Sequence, residues 1–102
     1  MADKVNIRYP TEGSTVPGGG GLFAWGNTEG GLQAETAQAK VTSRLTRKKL
    51  TNSVVKVDAP APNTWAFRIS GLTTGDEATL TVTANDMMGG VDVPQDVNFT
   101  VG

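Results

Sequence analysis

The stretch that decides the fold is EATLTVTAN, residues 77–85. Every second residue in it is apolar, namely Ala78, Leu80, Val82 and Ala84. The positions between them are occupied by glutamate and threonine. An alternation with a period of two is typical of a strand that buries one face and exposes the other to water. The stretch therefore predicts a half-buried strand of an antiparallel sheet.

The same alternation recurs in short blocks along the chain, separated by residues that favour turns. No long helical period appears, and residues 27–38 are expected to form a loop or a short helical turn. Pro94 is expected to interrupt pairing before the last strand. The blocks predict seven strands, at 4–9, 22–25, 37–47, 53–57, 64–70, 77–85 and 97–101. This spacing predicts an all-β fold, a seven-stranded antiparallel sandwich of two sheets with little or no helix, in a single domain spanning 1–102.

The alternation also predicts which side chains fill the space between the sheets. Trp65 is assigned to the core because it is in phase with Phe67 and Ile69, and Trp25 because it is in phase with Phe23. The alternative is that a tryptophan is exposed and stacks on sugar rings. The predicted core is Val5, Ile7, Phe23, Trp25, Val41, Leu45, Val55, Trp65, Phe67, Ile69, Leu72, Leu80, Val82, Phe99 and Val101.

The composition excludes several classes of chemistry. The chain has 102 residues with no cysteine and no histidine, so disulfides, Ser-His-Asp and Cys-His triads and ordinary zinc, copper or haem sites are not expected. Nine basic against ten acidic residues give a net charge of −1, which does not indicate a nucleic-acid binder. No apolar run is long enough to cross a membrane, and Met1–Lys4 lacks the apolar segment of a signal peptide. We expect neither a cofactor nor an enzymatic activity.

A basic segment lies in the middle of the chain. Six of the nine basic residues fall between Lys40 and Lys56. Lys40, Arg44 and Lys48 share the parity opposite to Val41, so a continuous strand would space these three side chains about 13 Å apart on its outer face. We call them the basic stripe. Such spacing suits an extended polyanion or an acidic neighbouring domain; the alternative is that the charges keep the strand soluble and guard a sheet edge.

Acidic residues and glycines form two further patterns. Asp86, Asp92 and Asp96 follow one another in a region where calcium could find oxygen ligands. The Asp-x-Asp-x-Asp spacing is absent, and an Asx turn accounts for Asp86, so no metal site is predicted. Gly19-x-Gly21-x-x-Ala24 fits the dinucleotide fingerprint in letters only, because a strand pattern rather than a helix follows it.

Both ends of the chain carry a recurring pattern of strands and corners. The first part is Val5-x-Ile7-x-Tyr9-Pro10-x-x-Gly13-x-x-Val16, followed by Phe23-x-Trp25-Gly26. The second part is Ile69-x-Gly71-Leu72, Gly75-x-x-Ala78-x-Leu80-x-Val82-x-Ala84-x-Asp86, Gly89 and Val97-x-Phe99-x-Val101. This pattern resembles bacterial immunoglobulin-like and fibronectin-III-like domains. Residues 27–63 match it poorly, and the two cysteines of antibody domains are absent.

The resemblance implies a non-enzymatic, disulfide-free module of a larger secreted or cell-surface protein, acting as a spacer or an adhesive domain. Its partners would be neighbouring domains of the parent protein, and the isolated chain would be a monomer. The alternative is a carbohydrate- or polyanion-binding module that uses the basic stripe to hold an acidic polysaccharide or cell-wall polymer. Neither nucleic-acid binding nor membrane insertion is expected.

Overall fold

A computed structural model describes residues 3–17, 21–46, 53–58, 61–86 and 92–102. Within these ranges the chain forms strands and one short 3-10 turn, and no helix is long and apolar enough to cross a membrane. The elements are β1 (Lys4–Tyr9), β2 (Ser14–Val16), β3 (Leu22–Glu29), the 3-10 turn (Ala34–Thr36), β4 (Gln38–Ser43), β5 (Ser53–Val57), β6 (Thr64–Ser70), β7 (Glu77–Ala84) and β8 (Val93–Val101).

The strands form two four-stranded sheets, which confirms the predicted all-β sandwich. One sheet has the order β1-β3-β6-β5 and the other the order β2-β8-β7-β4. All neighbours are antiparallel except β2, which runs parallel to β8. The inner faces of the two sheets enclose the core between them. The outer faces and the edge strands β1, β2, β4 and β5 carry the surfaces that ligands can reach.

Eight strands occur in the described residues where seven were predicted, because β2 was missed. It has three residues and lies in what was expected to be a connection from 11 to 21. Ser14 to Val16 pair with Phe99 to Val101. A strand this short has no periodicity to detect, and its position depends on a partner at the other end of the chain.

The bounds of three other strands also differ from the prediction by more than one residue. β3 was expected to end at Trp25 but continues to Glu29, because residues 26–29 pair with β1. The other two differ for local reasons. β4 ends at Ser43, whose Oγ accepts hydrogen bonds from the backbone N–H groups of Leu45 (3.2 Å) and Thr46 (3.4 Å) and so starts a turn. β8 begins at Val93 and includes Pro94, which pairs with Thr83. The expected interruption at Pro94 is therefore wrong. Proline is tolerated there because β2 pairs only with Phe99 to Val101, so no described strand pairs with that side of β8 at Pro94.

Most of the predicted core is confirmed. Ile7 and Leu72 are partly buried and pack against it. The fully buried members are Val5, Val41, Trp65, Phe67, Ile69, Leu80, Val82, Phe99 and Val101.

Four predicted core residues are instead exposed: Phe23 (50%), Trp25 (43%), Leu45 (76%) and Val55 (53%). Leu45 lies beyond the end of β4, so strand parity no longer governs it. Val55 has an apolar neighbour, Val54, which faces inward opposite Ile69 instead. In each case the prediction continued an alternation that the local structure does not follow.

The reversed orientation of β3 has a direct steric cause in Gly26. This residue pairs with Trp65, and a Cβ added to it would lie 1.9 Å from the carbonyl oxygen of Asn6 and 2.5 Å from Cζ2 of Trp65. The indole of Trp65 thus occupies the space over Gly26. Because Gly26 must face inward, Leu22 and Ala24 face inward with it, and Phe23 and Trp25 face outward.

Candidate functional site

The outer face of the β1-β3-β6-β5 sheet carries three exposed aromatic side chains. Tyr9 on β1 pairs with Trp25 on β3, and Phe23 precedes Trp25 by two residues on the same face. The exposed fractions are 36% for Tyr9, 43% for Trp25 and 50% for Phe23. Side chains at i and i+2 of a strand lie about 6–7 Å apart, so the three rings occupy adjacent positions on the same side of the sheet.

An arginine lies within this surface. Arg68 on β6 pairs with Phe23 on one side and with Val55 of β5 on the other, and it is exposed. Within the described part of the chain the guanidinium of Arg68 makes neither a hydrogen bond nor an ion pair. We call Tyr9, Phe23, Trp25, Val55 and Arg68 together the aromatic face.

A groove of about 420 Å³ adjoins Trp25. Ala66, the partner of Trp25 on β6, faces outward but is 1% exposed, so the larger side chains around it cover its methyl group. The hydroxyl of Thr64 donates to the carbonyl of Ala61, so it is already engaged. The groove lining, which is almost entirely apolar, consists of Phe23, Trp25, Ala61, Thr64, Trp65 and Ala66.

Polar side chains border the aromatic face toward the other end of β1 and β3. Nε of Arg8 donates to Oδ1 of Asn27 at 3.2 Å. Nδ2 of Asn6 donates to Oε2 of Glu29 at 2.6 Å. The polar side chains at this end of the sheet are therefore hydrogen-bonded to one another, whereas the aromatic face exposes rings and a guanidinium that has no partner among the described residues.

The residues of the basic stripe lie on the other sheet. Lys40 is exposed on β4, the outermost strand, and pairs with Thr81. Arg44 lies after the end of β4, and its Nη2 donates to the carbonyl of Phe99 (3.3 Å) and to Oγ1 of Thr100 (3.4 Å). Lys48 lies outside the described residues. The strand that would carry all three at even spacing ends at Ser43.

The carboxylates of Asp76, Asp92 and Asp96 each accept a hydrogen bond from a different neighbouring group. Oδ2 of Asp76 accepts from the backbone N–H of Thr73 (2.9 Å), and Oδ1 of Asp92 accepts from Nδ2 of Asn85 (3.0 Å). Oδ1 of Asp96 accepts from the hydroxyl of Thr81 (2.7 Å). Within the ranges that the structure describes, no group of three or more acidic residues could hold a metal ion.

A second, larger groove of about 620 Å³ runs between the edge strands β4 and β5. Nζ of Lys56 donates to the backbone carbonyl of Glu35 at one end of it. The hydroxyl of Thr36 is bonded to the backbone of Gln33 and Asn85. The groove thus places a lysine and a glutamate near each other, but the threonine hydroxyl is engaged with backbone groups rather than with a general base.

The sequence prediction missed the aromatic face because Phe23 and Trp25 were assigned to the core. The run Leu22 to Trp25 is apolar at both parities, so alternation alone cannot orient it. The sequence does contain one indication of which face of β3 is buried: Gly26 and Thr28 are small residues at alternate positions, in phase with Leu22 and Ala24. Small residues at alternate positions of β3 fit a strand that packs beneath a large side chain from a neighbour.

The strand order corresponds to the ABED and CFG sheets of an immunoglobulin constant-type domain, with the first strand divided between the two sheets as β1 and β2. Solved structures agree. PcoC, a methionine-rich copper resistance protein from Escherichia coli, is similar with a TM-score of 0.72 and 12% identity over 100% of both chains. The chain is an immunoglobulin-like β-sandwich.

Two titin domains share this immunoglobulin-like fold. Titin M4 is similar with a TM-score of 0.56 and 16% identity, over 98% of this chain and 95% of that one. Titin M1 gives a TM-score of 0.56 and 15% identity, over 99% and 95% of the respective chains. No protein-family model and no curated protein matches the sequence. The likeness is therefore one of fold.

Proposed function

We propose that the chain is a non-enzymatic interaction module of a larger extracellular protein, acting as an adhesive domain or spacer. The observation that carries this proposal is the aromatic face. Exposed aromatic side chains grouped with an arginine are typical of binding surfaces, since these residue types dominate the energetics of recognition. The packed core between the sheets supports that surface on rigid strands rather than on loops.

The structural similarity to PcoC does not lead us to propose copper binding for this chain. The name of that protein describes a methionine-rich chain, whereas this chain has three methionines and neither histidine nor cysteine. Met87 and Met88 lie outside the described residues. Neighbouring domains of the parent protein remain the proposed partners, alongside an extracellular polymer bound at the surface.

The test measures retention of the purified chain on washed cellulose, chitin, peptidoglycan and acidic polysaccharide beads. We expect retention of the wild type on at least one polymer and loss of retention in the double variant Phe23→Ser, Trp25→Ser. The matched control is Gln38→Ser, Lys40→Ser, which alters two exposed residues at the same spacing on β4 of the other sheet.

Four outcomes would contradict the proposal. New reducing ends or soluble fragments released from a polymer would show an enzyme. Equal retention of the wild type and the aromatic-face variant would exclude that face, and loss in the control alone would assign binding to the surface around Lys40. An antibody raised against the chain should label intact cells or the medium, so detection of the native protein only after lysis would exclude the extracellular location.

A further inference from the structure

The size of the aromatic face favours a small ligand over a protein partner. Three aromatic side chains that are 36–50% exposed, together with the half-exposed Val55, offer about 300 Å² of apolar surface. A stable protein–protein interface buries about 800 Å² from each partner, of which about 450 Å² is apolar. The adjoining groove of about 420 Å³, by contrast, falls within the usual range for small-molecule sites.

The positive charge of Arg68 indicates which chemical groups a ligand of this face should carry. Arg68 lies next to Phe23 and is exposed, and its guanidinium makes no hydrogen bond or ion pair with any described residue. A two-fold dimer through this face would bring the Arg68 side chains of two copies close together, which opposes self-association. A ligand that carries an anionic group beside an apolar surface complements the face in both respects.

A sugar ring with a carboxylate has this combination of groups. One side of a pyranose presents C–H groups that can lie flat on an indole or phenyl ring, while its rim presents hydroxyls and the carboxylate. Trp25 and Arg68 are diagonal neighbours on adjacent strands, about 7–8 Å apart. A ring stacked on Trp25 therefore places a substituent on its rim within reach of the guanidinium, which binds carboxylates through two parallel hydrogen bonds.

We propose that the aromatic face binds an acidic saccharide, with a sugar ring stacked on Trp25 and its carboxylate held by Arg68. This inference rests on the proposed interaction function and names its ligand class. Phe23 and Tyr9 extend the stacking surface to adjoining sugar rings. The surface that binds acidic polymer is thereby placed on the sheet opposite to the basic stripe.

Isothermal titration calorimetry with three probes tests the proposal. The probes are hexagalacturonate, its full methyl ester, and a glutamate hexapeptide that carries charge without rings. We expect hexagalacturonate to bind most tightly and the methyl ester about tenfold more weakly, with no binding of the peptide. Arg68→Gln should reduce hexagalacturonate binding to the level of the methyl ester, and should leave binding of the ester unchanged. Trp25→Ala should abolish binding of both saccharides.

Lys40→Gln is the matched control, because it removes one exposed charge from the other sheet and should leave all affinities within twofold. Circular dichroism of each variant checks the fold, and Arg68→Gln keeps the test valid if Trp25→Ala unfolds. Equal binding of the acid and its ester, or no effect of Arg68→Gln, would overturn the inference while leaving an interaction module intact. Tighter binding of the peptide would replace the saccharide with a protein partner. If neither saccharide binds, the inference fails, and retention on another polymer decides the proposed function separately.

Discussion

The outer faces of the two sheets differ in whether their side chains are hydrogen-bonded to neighbouring residues. On the β2-β8-β7-β4 sheet, the hydroxyls of Thr79 and Thr81 donate to Asn98 and Asp96, both at 2.7 Å. On the β1-β3-β6-β5 sheet, the aromatic face exposes aromatic rings to water, and the guanidinium of Arg68 has no partner among the described residues. On this threonine-rich face of the β2-β8-β7-β4 sheet, the two hydroxyls already have hydrogen-bond partners within the protein. The aromatic face instead exposes apolar surface and a charged side chain, to which a ligand can bind. This contrast locates the candidate site.

The largest expected effect is a difference in stability between the alanine variants of the two tryptophans, which lie on opposite sides of the same sheet. Trp65→Ala removes a fully buried ring and should reduce the free energy of unfolding by about 3–5 kcal/mol. Trp25→Ala removes a half-exposed ring and should cost about 1 kcal/mol. Urea unfolding followed by circular dichroism measures both. Similar losses for the two variants would show that Trp25 belongs to the core and that the aromatic face does not exist.

The second effect tests the orientation of β3 through its glycine. Gly26→Ala places a methyl group against the Asn6 carbonyl and the Trp65 ring, and should cost about 2–3 kcal/mol. Gly31→Ala is the control, because its Cβ meets only a carboxylate oxygen of Asp3, at 3.9 Å, and should change stability by less than about 0.5 kcal/mol. A Gly26→Ala variant as stable as the control would contradict the inward orientation of Gly26, and with it the exposure of Trp25.

The same two sheets show how far the sequence predicts the fold. In β7 each apolar residue alternates with a polar one, so local pattern and burial agree along its whole length. In β3 the run from Leu22 to Trp25 is apolar throughout, and its orientation is decided by contact with Trp65, far away in the sequence. The candidate site was missed for that reason. Alternation predicts a half-buried strand well, but it cannot orient a strand whose two faces are both apolar.

A smaller effect is expected on the threonine-rich face. Thr81→Val keeps a β-branched side chain in the strand and removes the hydroxyl that donates to Asp96. Because Asp96 is exposed, water replaces the lost donor, and stability should change by less than about 0.5 kcal/mol. Urea unfolding of Thr81→Val and of Trp25→Ala under the same conditions measures the two losses of stability. A loss larger than that of Trp25→Ala would mean that hydrogen bonds across this face hold the sandwich together more strongly than the exposed rings do.

The smallest effect should come from the basic stripe. Lys40 lies on an edge strand, where an exposed charge discourages pairing with other chains, and Arg44 is tied to the backbone of β8. Exposed charges contribute about 0–1 kcal/mol each and act over roughly 10 Å at 0.1 M salt. Changing Lys40, Arg44 and Lys48 together to Gln should therefore weaken binding of long polygalacturonate less than about threefold at low salt, with no difference at high salt. Self-association at low salt, measured by sedimentation, should be unchanged. A loss exceeding that of Arg68→Gln would move the polymer site to the basic stripe, because binding would then depend on the charge of these three residues rather than on the rings of β3.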